Sequence, residues 1–150
     1  MSKLQRYCAY RERCGQEIRQ KLSNLGCWGE QADEVMNQLA DERFWDELRF
    51  AHIFASDKFR LKRWGRIKIR QGLKQKQVPK SFIEEALKEE IKDGDYWETL
   101  LYLTKKKMET LQHITHTLQL KQKLMRFLLQ KGYESDWIWK AIAQVVEGKD

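Results

Sequence analysis

The chain has 150 residues, of which 41% are hydrophobic and 11% aromatic. This composition supplies enough apolar side chain for a packed core and argues against a disordered chain. One proline, eight glycines and the many Leu, Lys, Glu and Gln residues favour helices over strands. The sequence contains no run of about 18 apolar residues, and its N-terminus lacks the apolar segment of a signal peptide. We therefore expect a soluble, cytoplasmic, all-helical protein.

The positive charge is concentrated in one segment. The net charge is +7, and positions 58–80 contain no acidic residue but ten basic ones: Lys58, Arg60, Lys62, Arg63, Arg66, Lys68, Arg70, Lys74, Lys76 and Lys80. Such a segment predicts binding to phosphates or protein carboxylates, because clustered cations attract polyanions. The alternative is a solvated helix face without a partner.

The first predicted elements are three short helices. Leu4 and Tyr7 begin the first, the second passes through Leu22 and stops at Gly26, and the third runs from about Gly29 to Leu39. Glu17 lies where the acid of a capping box for the second helix is expected.

A long helix and a basic helix follow. Asp41 and Glu42 form an acidic cap, and apolar residues then recur at helical spacing in Phe44, Leu48, Ala51, Ala55 and Phe59. The long helix breaks at Trp64 and Gly65, and the next helix places Ile69 and Leu73 on its apolar side. Further helices begin at Pro79, near Asp95, in the region of Lys121 and at Ser135 or Asp136.

The helix pattern repeats along the chain. Ile18 and Leu22 align with Ile69 and Leu73, which in turn align with Leu124 and Leu128. We therefore predict an all-α fold of three tandem three-helix repeats, 1–40, 41–93 (with the basic face) and 94–150. Because one unit of this size buries little surface, we expect the repeats to stack in an elongated, curved row of either hand.

Catalytic and metal-binding motifs are missing from the sequence. The three cysteines lack C-x-x-C spacing, and His113 and His116 have no further ligands near them in the sequence. No glycine-rich phosphate loop occurs. We predict no enzymatic activity, no metal and no cofactor, while sequence alone leaves open a nucleophile and base that meet only in space.

The candidate partner-binding residues are seven cations and one tryptophan. Cations in the first turn of a helix, as expected for Arg66 and Lys68, oppose the macrodipole at about 0.3–1 kcal/mol each, and uncompensated charge there indicates a binding use. Trp137 and Trp139 lie about 200° apart around their helix, so Trp139 is expected to project outward as an interface anchor, a base-stacking platform or a contact to the adjacent unit. The predicted set is Lys62, Arg63, Arg66, Lys68, Arg70, Lys74, Lys76 and Trp139.

The sequence resembles the RecX family of bacterial regulatory proteins over nearly its whole length. The resemblance rests on L-A-D-E-R-F at 39–44, on W-G-x-x-x-I-x-x-x-L from Trp64 to Leu73, and on L-x-x-K-G-Y from Leu128 to Tyr133. In the first repeat, Arg13, Glu17, Lys21 and Leu22 also follow the family pattern.

The resemblance implies a modulator of the RecA recombinase, generally an inhibitor, with a place in recombination, DNA repair and the SOS response. It would lie in the helical groove of the RecA filament on DNA, block strand exchange and the coupled ATP hydrolysis, and promote net filament loss. We further expect weak, electrostatic binding to single-stranded DNA, with double-stranded DNA as a second possible form, no membrane partner and a monomeric protein.

A direct DNA-binding helical protein without RecA specificity is the alternative, because short helix pairs joined by turns also occur in helix-turn-helix proteins. A steep salt dependence of binding to bare DNA, with base specificity, would favour this alternative.

Overall fold

The structure of the protein is a computed structural model that describes residues 2–148. Within this range the chain forms nine α-helices and no strand, which confirms the all-α fold class. The helices are α1 (Lys3–Tyr10), α2 (Gly15–Asn24), α3 (Glu30–Asp41), α4 (Glu47–Lys62), α5 (Arg66–Gln75), α6 (Lys80–Glu90), α7 (Asp93–Thr110), α8 (Thr117–Lys131) and α9 (Ser135–Glu147).

Local signals at the ends of α2 are confirmed. The Glu17 carboxylate accepts a hydrogen bond from the Cys14 backbone N–H at 3.1 Å, as the predicted capping acid should. At the other end Gly26 has φ +84°, and Cys27 N–H donates to the Leu22 carbonyl at 2.8 Å. The glycine therefore allows the left-handed turn that closes the helix.

The predicted start of the long helix at Asp41 and Glu42 is wrong. Asp41 is the last residue of α3, and Arg43 has φ +63°. Phe44 N–H donates to the Leu39 carbonyl at 2.8 Å, which closes α3 in the manner of a Schellman motif. The cap of α4 is instead Asp46, whose carboxylate accepts from Arg49 N–H at 2.9 Å.

The chain divides into two compact units. The first contains residues 1–56 and 71–90, and the second contains 57–70 and 91–150. Both α4 and α5 contribute residues to each unit. The predicted repeat boundaries at 40/41 and 93/94 follow a different criterion, the helix pattern, and stay predictions.

In the first unit α1 packs on α2 and α2 on α3. Their shared core contains Cys8, Ile18, Leu22, Ala32, Met36 and Leu39, with Phe44 and Trp45 packed against it. Trp45 therefore lies at the edge of this core.

In the second unit α7, α8 and α9 pack pairwise against one another. Leu100, Leu124, Leu128, Ile138 and Ala141 are fully buried. The three aligned pairs of the predicted repeat are also buried, each residue being at most 2% exposed: Ile18 and Leu22, Ile69 and Leu73, Leu124 and Leu128. Equivalent positions thus fill equivalent core sites in all three helical repeats.

Every helix within residues 2–148 is too short or too polar to cross a membrane.

Candidate functional site

The site begins with a backbone contact in the second unit between the start of α5 and the end of α8. Gly65 N–H donates to the Lys131 carbonyl at 2.7 Å, and Ile67 N–H donates to the Gly132 carbonyl at 3.0 Å. The unpaired N–H groups of one helix end thus meet the unpaired carbonyls of another. Because the two macrodipoles meet with opposite partial charges, this contact is electrostatically favourable.

Only glycines fit at this contact. A Cβ atom on Gly65 would lie 2.3 Å from the carbonyl carbon of Gly132, and one on Gly132 would lie 2.4 Å from the Lys68 Cβ. Gly132 also has φ +98° as the left-handed cap of α8. The W-G and K-G-Y motifs therefore hold the second unit together at one point.

Arg66 is a half-buried cation with partners inside the second unit, so the premise that its charge is uncompensated is wrong. Its side chain is 16% exposed, and Nη2 donates to Asp93 Oδ1 at 2.7 Å and to the Ile91 carbonyl at 3.2 Å. The guanidinium also lies 4.1 Å from the ring centroid of Tyr96 and 5.5 Å from that of Trp137. The sequence could not show this because Asp93 and the two rings come from α7 and α9.

A buried phenol connects three helices beneath Arg66. The Tyr96 hydroxyl accepts from Arg66 backbone N–H at 3.0 Å and donates to Glu134 Oε1 at 2.5 Å. Burial, followed by the hydrogen bond to Glu134, raises the pKa of Tyr96 above its usual range. Tyr96 therefore stays protonated and acts as a neutral bridge between α5, α7 and the start of α9.

Five cations surround the Gly65–Gly132 contact, and we call them the cation cluster: Lys58, Lys62, Arg63, Lys68 and Lys131. The Nζ atoms of Lys58 and Lys68 lie 4.9 and 4.6 Å from the Trp64 ring centroid. Lys131 Nζ donates to the Lys62 carbonyl at 3.4 Å. The helix junction thus gathers basic side chains from α4, α5 and α8.

Four of the five residues in the cation cluster have no matching carboxylate in the described part of the chain. Within residues 2–148, Lys62, Arg63, Lys68 and Lys131 have no carboxylate within salt-bridge distance, and Lys62 and Arg63 are exposed. Arg63 instead lies 4.8 Å from the Tyr102 ring centroid. Because neighbouring like charges repel one another, binding of an anion lowers the electrostatic free energy of such a group. Phosphates and acidic side chains are the ligands with the matching charge.

The other predicted cations have different surroundings. Arg70 is half-buried and belongs to the second unit, whereas Lys74 and Lys76 belong to the first. Lys74 is exposed, and Lys76 Nζ lies 3.7 Å from the Glu17 carboxylate. That all seven predicted cations form one partner surface stays a prediction.

Trp139 projects outward as expected, with 51% of its surface exposed. Its neighbour in sequence, Trp137, turns inward and its ring centroid lies 5.1 Å from that of Tyr96. The angle of about 200° between them around the helix therefore explains why one side chain is exposed and the other packs against Tyr96.

Sequence reasoning missed Lys131, which lies after α5 by more than fifty positions in the chain. The K-G-Y motif could have indicated Lys131, since this lysine directly precedes Gly132, whose carbonyl accepts from the start of α5. It also missed the α8 side chains that lie beside Trp139, because only Arg126 among them is charged and they form no basic run in the sequence.

The histidines and cysteines do not assemble into a reactive centre in the described part of the chain. His52 lies 3.8 Å from the Glu85 carboxylate and 3.9 Å from that of Glu90, while His113 and His116 are exposed. Among residues 2–148, no group of three or more His, Cys, Asp or Glu could hold a metal ion. Burial raises the pKa of the Cys14 thiol to about 11, which leaves it protonated.

Comparison with protein families finds two matches along the chain. Residues 46–87 match the second three-helix domain of RecX, and residues 94–142 match the third three-helix domain of RecX.

Two relatives have the name regulatory protein RecX. The one from Prosthecochloris aestuarii (strain DSM 271 / SK 413) is 32% identical, with 93% of this chain and 89% of the relative covered. The one from Clostridium botulinum (strain Eklund 17B / Type B) is 34% identical over 87% of this chain. The match covers 60% of the Clostridium botulinum protein, so this chain spans only part of its length.

The fold is similar to that of solved structures. The crystal structure of RecX from Lactobacillus salivarius superposes with a TM-score of 0.86 at 22% identity, covering 96% of this chain and 92% of that one. A second crystal structure, of regulatory protein RecX, gives a TM-score of 0.80 at 21% identity. These likenesses establish the fold.

Proposed function

The chain belongs to the RecX family of regulatory proteins, and we propose that it regulates the RecA recombinase negatively. In this proposal it binds in the groove of the RecA filament on DNA and inhibits ATP hydrolysis and strand exchange. It acts by binding and has no catalytic activity of its own.

The observation that carries this proposal is the cation cluster. Lys62, Arg63, Lys68 and Lys131 flank a contact made by two backbone hydrogen bonds, and they have no carboxylate partner among the described residues. A filament groove lined by DNA phosphates and acidic side chains offers the opposite charge. The cluster therefore favours a polyanionic partner over pure solubility.

The proposal includes further properties of the free protein. We infer that it is a cytoplasmic monomer with no membrane partner, which contacts single-stranded and also double-stranded DNA weakly through its cations. Sedimentation equilibrium at micromolar concentration tests whether the protein is a monomer, since a dimer would give twice the monomer mass.

The test is RecA's ATP hydrolysis on single-stranded DNA, with this protein titrated from far below to above the amount that coats the DNA. We expect inhibition well below coating, because a regulator acts on the filament. Inhibition only near full coating, relieved by extra DNA, would contradict the proposal and favour the direct DNA-binding protein.

A charge-reversal variant tests the site itself. Lys62→Glu/Lys68→Glu should raise the concentration for half-inhibition by about tenfold, since exposed cations each contribute up to about 1 kcal/mol. The matched control is Lys3→Glu/Arg6→Glu, which changes the net charge equally on exposed residues of α1. Equal inhibition by the two variants would show that net charge, and not the cation cluster, matters.

A further inference from the structure

A groove between α8 and α9 of the second unit has the size of a ligand site. Its volume is about 660 Å³, within the range of about 300–1,000 Å³ typical of such sites. The groove is lined by Gln122, Met125, Arg126, Leu129 and Gln130 of α8 and by Trp139 of α9. None of these residues belongs to the cation cluster.

Two large apolar side chains of the groove lie outside the hydrophobic core. A different side of α9 buries Ile138, Ala141 and Ile142, each at most 1% exposed. Trp139 and Leu129 remain 51% and 48% exposed, although both are large and apolar. They present a flat aromatic surface and an aliphatic neighbour to solvent.

The polar part of the groove is a single stripe of unpartnered side chains. Gln122, Arg126 and Gln130 are spaced four residues apart, so they line one side of α8 over about 12 Å. No hydrogen bond or ion pair occupies these three side chains within residues 2–148. The two amides each offer a donor and an acceptor, and Arg126 offers a cation.

The α8 side of the groove is positively charged. Between Thr117 and Lys131 α8 contains four basic residues, Lys121, Lys123, Arg126 and Lys131, and no acidic residue. Lys121 is paired with Glu147. Arg126 in the groove and Lys123 elsewhere on α8 have no acidic partner in the described chain. A polyanion is therefore favoured over a neutral or cationic ligand.

We propose that this groove binds single-stranded DNA, with one base stacked on the Trp139 indole and a phosphate beside Arg126. Gln122 and Gln130 line the same groove and offer amide donors and acceptors to the bound strand. Every base has an aromatic face, so this site tolerates any sequence. A duplex does not fit this chemistry, because its bases are already stacked on one another. The inference rests on the proposed function, since it gives the DNA strand of the filament its own site on the chain.

The experiment measures binding of a fluorescent oligothymidine and of an abasic strand with the same number of phosphates. Trp139→Ala should weaken binding to oligothymidine about tenfold, the usual effect of losing one base–aromatic stack. Trp139→Phe should retain most of the affinity, because phenylalanine also stacks. Both variants should bind the abasic strand as the unchanged protein does. Trp28→Ala is the matched control, since Trp28 is 68% exposed in the first unit and should leave both affinities unchanged.

Three results would overturn the proposal. The first is equal affinity of Trp139→Ala and the unchanged protein for oligothymidine. The second is an equal loss on the abasic strand, which would mean that the indole does not contact a base. The third is normal DNA binding by Trp139→Ala together with lost inhibition of RecA, which would make the groove a protein-docking site.

The same variants separate this inference from the proposed function. If Lys62→Glu/Lys68→Glu inhibits RecA normally while Trp139→Ala loses oligothymidine affinity, the DNA groove stands and the cation cluster fails. If Trp139→Ala binds oligothymidine normally while the charge-reversal variant loses inhibition, the groove fails and the proposed function stands.

Discussion

Gly65 lies where the backbones of α5 and α8 come closest, and its lack of a side chain is a requirement of packing. Two hydrogen bonds, from Gly65 and Ile67 to the Lys131 and Gly132 carbonyls, depend on that approach. Each buried backbone bond left unmade costs about 1–3 kcal/mol. A single methyl group at this position therefore threatens the junction that positions the cation cluster.

We predict that Gly65→Ala lowers the free energy of unfolding by about 3 kcal/mol, because overpacking and lost hydrogen bonds add together. In a chain of this size, that corresponds to a melting temperature lower by about 6–12 °C. Gly94→Ala is the control: a Cβ on Gly94 meets nothing within 4 Å, so α7 should keep or slightly gain stability. Similar melting temperatures for both variants in a thermal melt followed by circular dichroism would refute the packing argument.

At the scale of elements, the N-terminus of α2 is stabilised by a charged cap. Glu17 accepts from Cys14 N–H and lies 2.8 Å from Arg11 and 3.7 Å from Lys76. Burial alone would raise its pKa, but the backbone hydrogen bond and the two cations outweigh burial, so the pKa of Glu17 is lower than its usual 4.5. A carboxylate with a lowered pKa stabilises the fold at neutral pH, and this contribution is lost as the pH falls through the folded-state pKa.

Glu17→Gln should therefore be less stable than the unchanged protein at pH 7 by about 1 kcal/mol. The difference should shrink as the pH falls below 4.5 and vanish once the pH is below the folded-state pKa of Glu17. Urea unfolding at a series of pH values measures it. Glu47→Gln should show a pH dependence of stability with the opposite sign, because burial raises the pKa of Glu47. Its stability relative to the unchanged protein should improve as the pH rises. A difference for Glu17→Gln that is the same at every pH would show that the charge of Glu17 contributes nothing.

At the scale of the whole molecule, the net charge of +7 gives any complex with DNA or an acidic surface a strong salt dependence. We predict that inhibition of RecA weakens as the salt rises from 50 to 200 mM, and that Lys62→Glu/Lys68→Glu shows a shallower dependence because fewer counterions are released. Titrations at four salt concentrations measure both slopes. Parallel slopes for this variant and the unchanged protein would place the phosphate contacts elsewhere.

The sequence by itself determined the all-helical fold, the repeated core pairs and the outward direction of Trp139. These features depend on periodicity and on local caps, which act between residues three or four positions apart. Gly26 could be predicted for the same reason, since its left-handed turn closes the helix it follows.

Only the tertiary structure decided which cations have partners within the protein and which remain uncompensated. Arg66 and Lys68 look alike in the sequence, but Arg66 meets Asp93, Tyr96 and Trp137 across the second unit. Lys131 belongs to the cation cluster because the Lys131 and Gly132 carbonyls accept hydrogen bonds from Gly65 and Ile67 at the start of α5. Such partners are far apart in the chain, and electrostatic pairing depends on distance in space, which helical periodicity does not encode.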